Sequence, residues 1–173
     1  MKSTRYLQML FVIMSAFFLT GCPYLSDIPL DSAQSAILDT TIIGSWQKPG
    51  IESDSSEILH ILQFSESECL VLIWEEKELS AFRAFSTPIR ERKFLNVSEI
   101  RAGYSKNQQY IFAEYLIEED QLRLRFVEDD LFANRKFTNS MDLNEFILSQ
   151  LDNDSLFGTF DYFIRSEITE LKR

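Results

Sequence analysis

Over most of its length the chain alternates short runs of apolar, β-branched and aromatic residues with clusters of charged or small polar ones. That spacing predicts strands joined by turns. Residues 57–64 (EILHILQF) and 69–75 (CLVLIWE) are separated by Ser65-Glu66-Ser67-Glu68, a link short enough for a hairpin. Residues 81–86 and 93–97 flank Pro88, which is expected to break or bend that stretch. Residues 110–117 (YIFAEYLI) and 122–127 (LRLRFV) are separated by Glu118-Glu119-Asp120-Gln121, a further hairpin. In the second of these, Leu122, Leu124 and Phe126 face one way and Arg123 and Arg125 the other. Residues 41–46 make a first short strand and 156–164 (LFGTFDYFI) a last one.

One segment follows a helical period instead. Leu143, Phe146, Ile147 and Leu151 form an apolar stripe over residues 143–151, and Asp142 with Glu145 is a variant of the capping box. A weaker helical pattern covers 129–134. About eight strands with one helix before the last predict a mainly β fold, an antiparallel meander closed as a barrel or packed as a sandwich. At 173 residues this is one domain, and a chain of that size buries enough surface to need no disulfide.

The N-terminus breaks the strand pattern. Lys2 and Arg5 precede an apolar run at residues 10–19 (LFVIMSAFFL), too short to span a bilayer and suited to the core of a signal peptide. The run ends in Leu19-Thr20-Gly21-Cys22. This resembles the lipobox of bacterial lipoproteins. The resemblance implies a diacylglyceryl thioether on the Cys22 sulfur, cleavage before it, and acylation of the new amine. Two or more acyl chains give stable anchoring where one does not. Pro23 stands where an Asp in Gram-negative lipoproteins means inner-membrane retention, which implies the periplasmic face of the outer membrane in such a host. The expected organisation is a leader at 1–21, an acylated tether at 22–40 with Pro, Ser and little aromatic content, and a globular domain at 41–173.

Within that domain, Gly44-Ser45-Trp46 opens the first strand, and Phe94-Leu95-Asn96-Val97, residues 115–122 (YLIEEDQL) and residues 160–165 follow in order. The set resembles uncharacterised bacterial lipoproteins with a lipocalin-like β-barrel domain. That implies an eight-stranded barrel whose Gly-x-Trp ring closes the floor, with Arg165 available to cover it. The family implies no particular ligand.

Charge and chemistry refine this. Lys+Arg is 17 against Asp+Glu 27, a net charge of −10 that argues against a nucleic-acid partner. His60, the only histidine, shares a strand face with Ile58, Leu62 and Phe64; it reads as a structural or wall-lining residue, with a general base as the alternative. Cys69 reads as a small buried hydrophobe, or as a partner in an intermolecular disulfide. One Cys and one His beside the anchor make no zinc set, and Asp152-Asn153-Asp154 lacks the later ligands and Gly of a calcium loop. No cofactor, metal or catalytic constellation is expected. Aromatics, 13% of the chain, either fill the core or line an apolar cavity. The candidate inward, ligand-contacting residues are Trp46, Phe64, Trp74, Phe82, Phe112 and Tyr115. The expected role is binding of a small apolar or amphipathic ligand at the membrane; the alternative is an envelope protein-interaction module with a filled barrel.

Overall fold

A computed structural model describes residues 22–49, 58–75, 78–100, 108–133 and 135–166. The expected leader therefore lies outside the described residues. Eight strands form a closed antiparallel barrel in which each pairs with its neighbours in sequence and the last pairs with the first. They are β1 (Gly44–Gln47), β2 (Ile58–Gln63), β3 (Cys69–Glu75), β4 (Glu78–Ile89), β5 (Arg92–Glu99), β6 (Ile111–Glu118), β7 (Gln121–Phe126) and β8 (Asp161–Ser166). Helix α1 (Ser140–Gln150) lies between β7 and β8. The mainly β barrel with one helix before its last strand is thus as the patterning predicts.

Several boundaries differ, each for a local reason. Residues 40–42 form a 3-10 turn capped by Asp39, so β1 starts at Gly44. Pro88 does not break its strand. β4 runs past the first residue of β3, Cys69 opposite Ala84, and from there pairs only with β5, so the missing N–H of Pro88 leaves no ladder bond unmade. The cap of α1 is Asn139, whose side chain accepts from the Asp142 amide at 2.9 Å, three residues before the expected capping-box Glu145 could act. Residues 154–156 are a second 3-10 turn, so β8 begins five residues later than expected; 129–133 make turns and no helix.

Period-2 alternation divides the apolar residues between two cores. Inside the barrel Trp46, Leu59, Ile61, Cys69, Val71, Ala84, Leu95, Tyr115, Leu122 and Phe163 pack together over Ile42. Outside, Phe94 and Phe112 on β5 and β6 pack against Leu143 and Ile147 of α1, against Leu151 at its C-cap, and against Phe132, Leu156 and Phe157. Glu114, also on that outer wall, accepts from Arg125 Nε at 2.5 Å and faces Arg92 at 3.6 Å. Arg92 in turn donates to the Leu151 carbonyl at the end of α1. A buried carboxylate is thereby compensated, and the helix is fixed to the barrel.

The stretch expected to be a tether is instead packed onto this outer wall. Asp129 N donates to the Cys22 carbonyl, Tyr24 N to Val127 O at 2.8 Å, and Ser26 and Tyr110 exchange both backbone bonds. Tyr24 stacks on Phe132 with ring centroids 3.7 Å apart. Leu30 is 1% exposed, and its amide donates to Asn96 Oδ1 at 2.7 Å. Asn96, fully buried, gives its amide hydrogens to Phe85 O and Thr87 Oγ1, so its polar atoms are satisfied. The physical reason is compositional. Tyr24, Ile28 and Leu30 supply apolar area to a wall of aromatic residues that α1 alone leaves uncovered.

At the end of the barrel where β1 begins, Arg165 seals the interior. Its guanidinium lies 4.2 Å from the Trp46 ring centroid and donates to the carbonyls of Ile43 and Thr41, each at 3.0 Å. Trp46 is fully buried and its Nε1 donates to Ile42 O at 2.9 Å. Gly44 makes this possible. It has φ +149, and a Cβ there would stand 2.6 Å from Arg165 Nη1. Replacing Trp46 by Ala is expected to cost about 3–5 kcal/mol, and Gly44→Ala about 1–3 kcal/mol from backbone strain, both read from urea unfolding midpoints. A change below about 0.5 kcal/mol in either would show that the seal does not hold the barrel.

Candidate functional site

The strands that run away from the seal, β1, β3, β5 and β7, all end at the opposite rim. There the inward-facing side chains are Ile73, Phe82, Val97, Ile111, Leu124 and Phe126, assigned by their pairing with one another and with the buried interior set. None of these six is fully buried, and Phe126 is 37% exposed. They contrast with the Trp46 layer beneath, which is closed. The rim also carries an ion pair, Lys48 Nζ to Asp161 Oδ1 at 2.8 Å, with Lys48 5.9 Å above the Phe163 ring. A packed floor, a partly buried apolar wall packed against it and a charged pair at the lip make up the candidate cup.

Of the six residues expected to face inward, three do. Phe82 lines the cup wall; Trp46 and Tyr115 belong to the packed floor. The other three are corrected by register. Trp74 is opposite Ile58 and Leu79 on the outer face and is 46% exposed. Phe64 follows β2 on its outer face, 53% exposed, with the Arg83 guanidinium 4.9 Å from its ring. Phe112, opposite Asn96, is fully buried in the outer core beneath α1. Every aromatic invites an inward reading, but on strands apolar on both faces only the pairing fixes the parity. The wall residues Ile73, Val97 and Ile111 and the pair Lys48–Asp161 were missed. For Leu124 and Phe126 the signal was present in the LRLRFV alternation.

Beneath the floor the barrel holds a polar latch. Asp39 Oδ2 accepts from Lys93 Nζ at 2.6 Å and from Tyr115 OH at 2.9 Å, while its Oδ1 accepts from the Thr41 amide and hydroxyl. Tyr115 OH also lies 2.8 Å from Ser86 Oγ. Burial by itself would raise the Asp39 pKa, but the bonds from Lys93, Thr41 and Tyr115 outweigh it and hold the carboxyl at about 2. Burial pushes the Tyr115 phenol up, and the Asp39 charge adds to that rise. Both groups thus keep one protonation state across the physiological range, as a latch requires.

Cys69 is buried, as expected of a small hydrophobe, whereas His60 shares the outward face of Phe64 and does not line the barrel interior. His60 is on the outer face, and its Nδ1 is 2.8 Å from Ser45 Oγ across the β1–β2 pair. No carboxylate partner to the imidazole is found among the described residues. Cys69 points into the barrel, 1% exposed, with Sγ 3.4 Å from the Ala84 carbonyl; burial raises its pKa to about 11. Among the described residues no cluster of His, Cys, Asp and Glu has the make-up of a metal site, and no helix is long and apolar enough to cross a membrane.

A recess of about 330 Å³ opens on the wall where β6 runs past the start of β5, lined by Arg92, Lys93, Glu114, Tyr115 and Phe160 among others. Its charged groups already serve the latch and the helix clamp, which leaves the cup as the better candidate. The chain matches no family model, no curated protein and no solved structure.

Two outcomes follow. Asp39→Asn is expected to destabilise the barrel by about 1–3 kcal/mol at neutral pH. Because folding depresses this pKa from 3.8 to about 2, the wild-type advantage is present above about pH 4 and fades as pH falls toward 2; parallel urea titrations at pH 7 and at about pH 3, the middle of that window, measure it. Cys69 is expected to resist a maleimide reagent in the folded protein and to react on unfolding. Rapid labelling of the native chain at Cys69 would contradict a sealed interior.

Proposed function

We propose that this protein is an acyl-anchored envelope lipoprotein whose lipocalin-like barrel binds a small apolar or amphipathic molecule in the cup. The observation that carries the reading is the contrast within one barrel. Inward apolar residues are closed over at the floor and left partly exposed at the rim. Partly exposed apolar surface enclosed on several sides is where a ligand gains most from leaving water. Lys48 and Asp161 at the lip suit a polar head group, which favours an amphipathic ligand over a purely apolar one. Cys22 supplies the anchor through its thioether, on the resemblance of Leu19-Thr20-Gly21-Cys22 to the lipobox.

The ligand reading is tested with cis-parinaric acid, a fluorescent polyene fatty acid. The wild-type barrel is expected to bind it, and Val97→Glu in the cup wall to weaken binding at least about tenfold, equivalent to 1.4 kcal/mol. Leu62→Ser on the outer face is expected to leave binding unchanged. Equal binding by wild type and Val97→Glu would end the cup reading. The anchor is tested by Cys22→Ser, which is expected to move the protein from the membrane to the soluble fraction and to abolish labelling by radioactive palmitate.

A further inference from the structure

On the outer wall, α1 and residues 24–30 lie over β5 and β6. Strands β2, β3 and β4 turn a second apolar face outward, and its side chains belong to neither core. Leu59, Ile61, Val71 and Ile73 point into the barrel, so alternation puts Ile58, Leu62, Leu70, Leu72 and Trp74 outside. The register then sets these side by side. Ile58, Trp74 and Leu79 make one row across the three strands, Leu62 and Leu70 another, and Leu72 stands between the rows on the central strand. Exposed apolar residues occur elsewhere on the barrel; here they form one surface.

The extent of that surface suits a particular kind of contact. Leu62, Phe64, Trp74 and Leu79 are 43%, 53%, 46% and 55% exposed. At about 150–250 Å² for a large side chain, half of each amounts to roughly 300–500 Å². Monomers seldom leave that much apolar area contiguous. A standard interface covers about 800 Å² on each partner, and about 65% of a homodimer's is apolar. The face therefore supplies the apolar share of one half of such an interface.

Charge decides the occupant. At the edge of the face, Arg83 is paired with Glu68 and lies against the Phe64 ring. His60, beside Leu72, is bonded to Ser45. No described side chain on the face offers an unpaired charge. A strongly basic or acidic partner would bury its own charge against alkyl groups, which costs more than it returns. A copy of the same face brings no such charge.

We infer that two copies of the chain pair through this face, their β2–β4 surfaces stacked about 10 Å apart across a two-fold axis near Leu72. The pairing depends on neither the cup nor the anchor. The net charge of −10 on each copy opposes it at long range. Salt therefore tightens the dimer, because the Debye length falls from about 10 Å at 0.1 M to about 3 Å at 1 M.

The test uses the full chain in cells. p-Benzoylphenylalanine stands in place of Trp74 on the face or, as a control, in place of Met141 on α1, which is 71% exposed. Irradiation is expected to convert the first form to a product of twice the monomer mass and to leave the second monomeric. An adduct at position 74 with lipid or with a chain of different mass, or no adduct at all, would overturn the inference. Two differently tagged copies, co-expressed and captured through one tag, give a second reading. Recovery of the other copy is expected to fall at least about tenfold when Leu62→Glu and Leu79→Glu are combined. It is expected to persist with Met141→Glu and to rise between about 0.1 M and 1 M salt. Both substituted face positions are exposed, so the double variant is expected to keep the wild-type circular dichroism spectrum, which separates lost pairing from lost folding. Equal recovery from wild type and the folded double variant, or recovery that falls with salt, would also end the pairing.

Discussion

The structure depends on one contact between distant parts of the chain, the Arg165 guanidinium lodged between the Trp46 ring and the carbonyls of Thr41 and Ile43. A barrel of eight sequential strands closes only if the first and last strands pair, and here the first has four residues. Its three paired positions with β8 supply little on their own. The guanidinium adds a cation–π contact and two charge-assisted hydrogen bonds at that seam, and it plugs the same opening that Trp46 floors. Gly44 is the only residue type that leaves room for it.

Closure imposes the second feature, a wall with two apolar faces. Strands β2 to β6 carry apolar residues on both sides, so filling the interior leaves a large apolar exterior. Over β5 and β6 the chain covers that exterior with α1 and with residues 24–30, using Asn96 to satisfy the Leu30 amide and the Glu114 pair with Arg92 and Arg125 to fix the helix. This is why the N-terminal segment is ordered. Its few apolar residues fall on a surface that needs covering, and the backbone bonds at Val127 and Tyr110 prevent buried unpaired amides.

The two ends of the barrel then have different chemistry. One is sealed by Trp46 and Arg165 and latched by Asp39, Lys93 and Tyr115. The other leaves Ile73, Phe82, Val97 and Phe126 accessible beside an ion pair. The fully buried side chains are concentrated at the seal and in the outer core, and the inward residues at the rim are only partly buried.

The sequence by itself determined the class of fold, because strand-length apolar runs, short polar links and one helical stripe are local properties. The LRLRFV alternation separated the two faces of β7 correctly, Leu122, Leu124 and Phe126 on one and Arg123 and Arg125 on the other. Side-chain parity on β2, β3 and β6 was not legible there. Phe64, Trp74 and Phe112 sit on strands apolar on both faces, where a one-residue shift of register exchanges inside for outside. Nor was the docking of residues 22–30, since a segment rich in Pro and Ser reads as a linker until a complementary aromatic wall is placed beside it. What only the tertiary structure decided was which apolar residues meet: pairing register and barrel closure are long-range constraints, and no window of sequence contains them.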